Sequence, residues 1–280
     1  MKYIIAGGFI LLMLLCGTVI VAEEIRIHFI DVGDGDAVLL QAGDTSVLID
    51  AGSDRTSAAN YLTQQNITDI DLFLVTSPHV GQSSGIIEVM NRTIVHEFRD
   101  FGNDTRRMQY DRVRSRLQNE SIPLYALVPG EIIEITYLVS ISVLSDTQIE
   151  NPDEGGMILE IKTGNITTLL LSGTRIPTEH SDQIQIIRPG ITSSGKGTST
   201  MFLRSINPKT AIISSGRTGN GPPKPMIHGL EAMGSEVYRT DTRGSVIIFT
   251  DGEGYHIGTA RTGPSGSISL VSVIETRPPG

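Results

Sequence analysis

The sequence predicts one α/β domain of two sheets with helices outside them, and three observations predict it. Beyond Glu24 the chain is a succession of short β-type runs punctuated by Gly and Asp, amphipathic stretches of helical spacing lie between several of them, and no Ser/Gly linker divides it. Its 280 residues are 39% hydrophobic and 19% charged, a balance that supports a buried core and excludes a disordered chain.

The elements follow in order. Ile25 to Val32, Ala37 to Gln41 and Ser46 to Asp50 read as a three-stranded meander, turned at Gly33-Asp34-Gly35-Asp36 and Gly43-Asp44. Ser53 is placed to cap a helix ending near Gln65, with Ala58, Tyr61 and Leu62 as its apolar stripe. Leu72 to Thr76 is a nearly all-apolar strand of the buried sort, followed by a loop and a short helix through Ile86, Ile87 and Met90. From Thr105 to Glu120, Met108, Val113 and Leu117 give a polar helix one apolar edge. Strands resume at Ile132 to Leu144, Met157 to Lys162, Thr167 to Leu171, Gln183 to Ile187, Thr210 to Ser214, Ser245 to Thr250 and Tyr255 to Thr259. Helices lie near Thr198 to Ser205 and Met226 to Met233, the latter closed by Gly234 as its C-cap. The Gly, Ser and Pro-rich tail, residues 263–280, reads as loose, so the domain is expected over 23–262.

The N-terminal segment, residues 1–22, stands apart. Lys2 precedes nineteen uncharged residues, Ile4 to Ala22, and Ile20-Val21-Ala22 before Glu23-Glu24 makes an acceptable cleavage site. This reads as an export signal; its length also suits an uncleaved membrane anchor. The single cysteine, Cys16, lies inside it, so a cleaved chain would have neither disulfides nor thiolate metal sites. Asn-x-Ser/Thr sequons at Asn66, Asn91, Asn103, Asn119 and Asn165 suit an exported glycoprotein. The membrane is expected to be met only through that segment.

Charge argues against nucleic acid as the partner. Lys and Arg total 22 against 31 Asp and Glu, Trp is absent and aromatics are 5%, leaving neither long-range attraction to phosphate nor a stacking platform. Only Arg106, Arg107, Arg112, Arg114 and Arg116 could form a local patch, and Asp104, Asp111 and Glu120 sit among them.

One ordered series of motifs carries more. Phe29-Ile30-Asp31-Val32-Gly33-Asp34-Gly35-Asp36-Ala37 is followed by Leu48-Ile49-Asp50-Ala51-Gly52, then by Thr76-Ser77-Pro78-His79-Val80-Gly81-Gln82-Ser83-Ser84-Gly85 and Leu169-Leu170-Leu171-Ser172-Gly173-Thr174. Pro208 to Ser214, Tyr238-Arg239-Thr240-Asp241 and Gly244 close it. The series resembles the metallo-β-lactamase superfamily, and within it the hydrolase-like domain of ComEC-type competence DNA-uptake proteins, over residues 25 to 252. The resemblance implies a four-layered αββα sandwich of two mixed sheets, with the metal site at one sandwich edge. It also implies zinc, held by clustered His and Asp, lowering the pKa of a bound water for hydrolysis.

The departures bear on that chemistry. Ser77, His79, Gly81 and Gln82 stand where the family's H-x-H-x-D-H ligands would be, Thr174 replaces the bridging aspartate, and Pro189 and Gly190 fall in a segment that replaces G-H-H-G-S. Pro223 lies near the family's last histidine. Only His79 keeps its type, and one imidazole cannot hold a catalytic zinc. The expectation is therefore no catalytic residue, no cofactor and a binding or scaffold role, toward an extracytoplasmic protein or small molecule, with Asp36, Asp50 and His79 lining the edge. Asp50 is expected to fix the loop containing His79 by hydrogen bonds. The alternative is an extracytoplasmic phosphodiester or nucleic-acid hydrolase with a rearranged site using His79 with Asp36, Asp50 or His180. His28, His96, His180, His228 and His256 form no ligand pair and read as surface or packing residues. Asp31, Asp34 and Asp36 alternate as in a calcium loop but lack its trailing glutamate. Ser77, Ser83 and Ser84 lack the strand-elbow-helix setting of a hydrolase nucleophile.

Overall fold

A computed structural model of the chain describes residues 24–102, 108–144, 156–173, 175–192, 195–216, 221–262 and 268–276. The N-terminal part contributes β1 (Ile25–Phe29), β2 (Val38–Ala42), β3 (Thr45–Ile49), α1 (Ser57–Gln64), β4 (Asp69–Ile70), β5 (Leu72–Leu74), α2 (Val80–Ser83), α3 (Ile86–Arg92), β6 (Ile94–Val95), β7 (Phe98–Asp100), α4 (Met108–Asn119) and β8 (Leu124–Ala126). The middle adds β9 (Ile132–Glu134), β10 (Val139–Leu144), β11 (Ile158–Thr163), β12 (Ile166–Leu170), β13 (Ile186–Arg188), α5 (Thr200–Ile206), β14 (Thr210–Ile213), α6 (Lys224–Ala232) and β15 (Glu236–Arg239). The chain ends with α7 (Thr240–Arg243), β16 (Ser245–Thr250), β17 (Tyr255–Thr262) and β18 (Ile268–Thr276).

Two mixed sheets result, ordered β18-β17-β16-β1-β2-β3-β5-β7-β8 and β15-β14-β13-β12-β11-β10-β9, with a small β4-β6 pair beside them. Period-2 alternation explains why they pack. Ile25, Ile27 and Phe29 point inward from β1 and meet Ile141, Ile161, Ile186 and Ile212 of the other sheet in one core cluster. The outer face of the nine-stranded sheet, through Leu39, Leu48, Phe73 and Phe98, is covered by α1, α3 and α4, and that of the seven-stranded sheet, through Leu169, Ile187 and Ile213, by α5 and α6. Those are the four layers of an αββα sandwich. Truncating a fully buried member such as Leu40 to Ala would cost about 2–5 kcal/mol.

Several details differ from the sequence reading. Asp54, not Ser53, serves the start of α1: its Oδ1 accepts from the N–H of Thr56 at 2.9 Å and of Ser57 at 2.8 Å. Ile132 to Leu144 is not one strand but the β9–β10 hairpin, because Ile135 N–H turns back to Val139 O at 2.9 Å. The domain does not stop at 262, since 268–276 pair with β17 as β18. The helix ending near Ala232 is followed by Gly234 at φ +85°, as its C-cap role requires. Segment 1–22 lies outside the described residues, among which no helix is long and apolar enough to cross a membrane.

Candidate functional site

The loop after β1, the loops after β3 and β5, and the turns after β13 and β14 meet at one edge of the sandwich. Asp36, in the β1–β2 loop, is its hub. Its N–H donates to Gly81 O at 2.9 Å, its carbonyl accepts from Gly52 N–H at 2.8 Å, and Gln82 Nε2 donates to its Oδ2 at 2.8 Å. Across the gap between the sheets, Arg188 at the end of β13 puts Nη1 2.7 Å from Asp36 Oδ1. Asp36 is 6% exposed and Arg188 4%, so the pair is sealed from water. Arg188 Nε is buried without a hydrogen-bond partner among the described residues.

Asp50 closes β3 in the left-handed region, φ 59°, which turns its carboxylate toward β5. Thr76 donates to it twice, N–H to Oδ1 at 2.8 Å and Oγ1 to Oδ2 at 2.7 Å. Burial pushes the Asp50 carboxyl up to about 8; the two Thr76 hydrogen bonds oppose the rise, Asp36 adds to it and Arg188 opposes it. The next residues tie in through Ala51 N–H to Gln82 O at 2.7 Å and Ser84 N–H to Gly52 O at 3.1 Å. Two further bonds cross between the halves: Gly216 N–H to Asp34 Oδ1 at 2.8 Å and Met157 N–H to Thr76 O at 2.9 Å.

Two contacts are so close that only glycine fits. A Cβ on Gly35, φ +111°, would lie 2.0 Å from Gly81 O, and one on Gly190 would lie 1.7 Å from Gly173 O. Gly81 differs: the nearest atom to a Cβ there would be Gly35 Cα at 3.4 Å.

The sequence-singled residues thus divide. Asp36, Gln82 and the segment of Pro189 and Gly190 come together, through Arg188; Asp50 holds Thr76, at the head of the loop that carries His79. His79 itself heads α2, half-buried, its carbonyl accepting from Gln82 N–H at 2.9 Å and Ser83 N–H at 3.0 Å. The three serines serve this turn: Ser77 Oγ accepts from His79 N–H at 3.3 Å, Ser83 Oγ donates to His79 O at 2.9 Å and Ser84 Oγ to Val80 O at 2.9 Å. Asp31, Asp34 and Asp36 do not converge on one point; Asp31 accepts from Gly33 N–H at 3.4 Å while the other two reach Gly216 and Arg188. Thr174 and Asn103 lie outside the described residues. Among the described residues no three His, Cys, Asp or Glu side chains gather as a metal ion would require.

The other histidines are elsewhere. His28 is buried under α1 with Nδ1 2.8 Å from Tyr61 Oη, and burial lowers its pKa to about 3. His96 faces Asp69 on the surface, His180 bonds Ser181 O, His228 is exposed and His256 stacks on Phe249. The arginine helix is not a free basic face either. Arg114 donates to the buried Asp100 at 3.1 Å and to Gly102 O at 2.7 Å, while Arg116 binds Glu120 and Met90 O; Arg106 and Arg107 lie outside the described residues.

Sequence reasoning missed Arg188 as a site residue. The available signal was a charged residue ending the apolar Ile186-Ile187 run, a place where an ion needs a partner.

No family model matches the chain. The crystal structure of the metallo-β-lactamase fold protein YhfI from Bacillus subtilis superposes with a TM-score of 0.59 at 11% identity, over 81% of this chain and all of that one. CmlA, a diiron β-hydroxylase from Streptomyces venezuelae, gives 0.53 at 12% identity, over 78% of this chain and 53% of CmlA. Two mixed sheets packed face to face, helices outside and loops gathered at one edge are therefore the metallo-β-lactamase fold. Within it, the chain is 22% identical over 269 residues to ComE operon protein 3 of Bacillus subtilis, covering 80% of this chain and 33% of that protein, so it spans about a third of its relative.

Proposed function

We propose that this is an exported protein in which the metallo-β-lactamase fold serves as a non-catalytic binding or scaffold domain and holds no catalytic zinc. One observation carries the reading: a permanent cation, Arg188, is already bound to Asp36 at the edge where the family places its metal. A zinc ion there would need three protein ligands and would meet the guanidinium's charge. Ser77, Gly81, Gln82, Pro189 and Gly190 offer no thiolate, imidazole or carboxylate, and Gly190 has no room for one. Export is supported by the apolar run 4–22 and by the exposure of Asn66, Asn91, Asn119 and Asn165.

The test is metal content and activity of the purified protein. After dialysis it should retain no near-stoichiometric zinc, manganese or iron and cleave no phosphodiester. About one equivalent of metal, with phosphodiesterase activity abolished by His79→Ala, would establish the hydrolase alternative instead. Mass spectrometry of protein from its native host should find processing or membrane retention of the N-terminus and glycan on the four asparagines; a soluble, unprocessed, unmodified chain refutes export.

A further inference from the structure

We infer that the Arg188–Asp36 ion pair does the mechanical work of a metal ion, joining the two motif segments that in the fold family share one. This rests on the metal-free reading above and deepens it. Gln82 stands in the segment that replaces H-x-H-x-D-H, and Arg188 opens the one that replaces G-H-H-G-S. The first belongs to the nine-stranded sheet's loops, the second to the seven-stranded sheet. Asp36 touches both, Gln82 through Oδ2 and Arg188 through Oδ1. A dicationic metal would bind carboxylate oxygens from both sides; here one guanidinium and one amide do so.

The backbone at each end of this tie is held by hydrogen bonds of its own. Arg188 is the last residue of β13, with its carbonyl accepting from Leu171 N–H at 3.0 Å, and the loop beyond it is shut by Thr198, whose N–H donates to Gly190 O at 3.0 Å and whose Oγ1 accepts from Gly190 N–H at 2.9 Å. Asp36 is held by Gly81 and Gly52 as described. Holding the two backbones in place removes the main-chain share of the ordering cost, leaving only the side chains to be ordered when the pair forms. Desolvation has the opposite consequence: either partner left alone is an uncompensated charge.

A double-mutant cycle decides the matter. Asp36→Asn, Arg188→Met and the double variant are compared by denaturant unfolding, each with chelator and with added zinc. Each single substitution should raise the unfolding constant about a hundredfold or more, and the double variant far less than the product of the two. Effects that multiply independently overturn the tie. Should a single variant fail to fold, Arg188→Lys and Gln82→Met supply milder cases. Lysine, a point charge on a shorter reach, should fall between Arg and Met, and Gln82→Met should cost about tenfold. Lysine no better than methionine, or an unaffected Gln82→Met, also overturns it. Zinc retained by the unaltered protein, or unfolding that shifts with chelator, would instead strike the metal-free reading while leaving the cycle to judge the pair.

Discussion

Asp50 and Thr76 are bonded twice, backbone and hydroxyl of one to the two carboxylate oxygens of the other, at 2.8 and 2.7 Å. The contact carries a pH dependence. With its pKa raised from 3.8 to about 8, Asp50 keeps its proton in the folded state across a window where the unfolded chain releases it. Folding therefore binds a proton, and the Asp50 contribution to stability falls as pH rises from about 4 to about 8. Asp50→Asn imitates the protonated acid and tolerates left-handed backbone. It should leave neutral-pH stability within about 1 kcal/mol and flatten that slope, whereas Asp50→Ala should lose about 1–3 kcal/mol. Urea titrations from pH 4 to 8 check both; a slope unchanged in Asp50→Asn refutes the assignment.

His28 gives a slope of the other sign. Held neutral down to about pH 3 against an ordinary 6.5, it lets the unfolded chain bind the extra proton, so stability is lost as pH falls through that interval. The double variant His28→Phe/Tyr61→Phe removes both polar partners at once. Its stability between pH 6.5 and 3 should decline less steeply than that of the unaltered chain.

The glycines at the edge are predicted to differ sharply. Gly190→Ala drives a Cβ onto Gly173 O and should cost about 3 kcal/mol. Gly81→Ala meets only ordinary contact and, inside α2, should change stability by less than about 1 kcal/mol. Thermal melts of the two variants compare them directly; equal losses would refute the steric account.

Arg114 is predicted to matter for folding and Arg112 not. Arg114→Ala strips the guanidinium from buried Asp100 and should lose about 1–3 kcal/mol, while Arg112→Ala, at an exposed position, should be neutral. Binding of single-stranded DNA with a steep salt dependence that vanishes when Arg106, Arg107, Arg112, Arg114 and Arg116 are reversed together would restore the nucleic-acid reading.

The fold was legible because its signals are local. Alternation in Ile25-Arg26-Ile27-His28-Phe29 and the Ala58, Tyr61, Leu62 stripe report burial directly, and the turn motifs ending in Asp36 and Asp50 mark where loops meet. The edge was legible only as substitutions at single positions. That Gln82 would aim its amide at Asp36, or that Arg188 would reach the same carboxylate from 152 positions along the chain, depends on which strands lie opposite. No periodicity encodes that. Ser53 and Asp54 have comparable capping propensity in the sequence, and only the folded backbone, which brings the N–H groups of Thr56 and Ser57 to Asp54 Oδ1, selects the aspartate.

The place of β1 in the middle of its sheet has a consequence for how the protein is made. One neighbour, β2, arrives a few residues later by a tight connection, but the other is β16, and Phe29 finds Val246 only after 217 further residues have been added. A polypeptide emerging from the ribosome keeps that flank of β1 open, with Ile25, Ile27 and Phe29 beside it, until β16 has been made. Closure of this sheet is thus slow by virtue of the distance along the chain between its partners. Molecules truncated before β16 should be caught by chaperones or proteases instead of accumulating as a smaller stable unit.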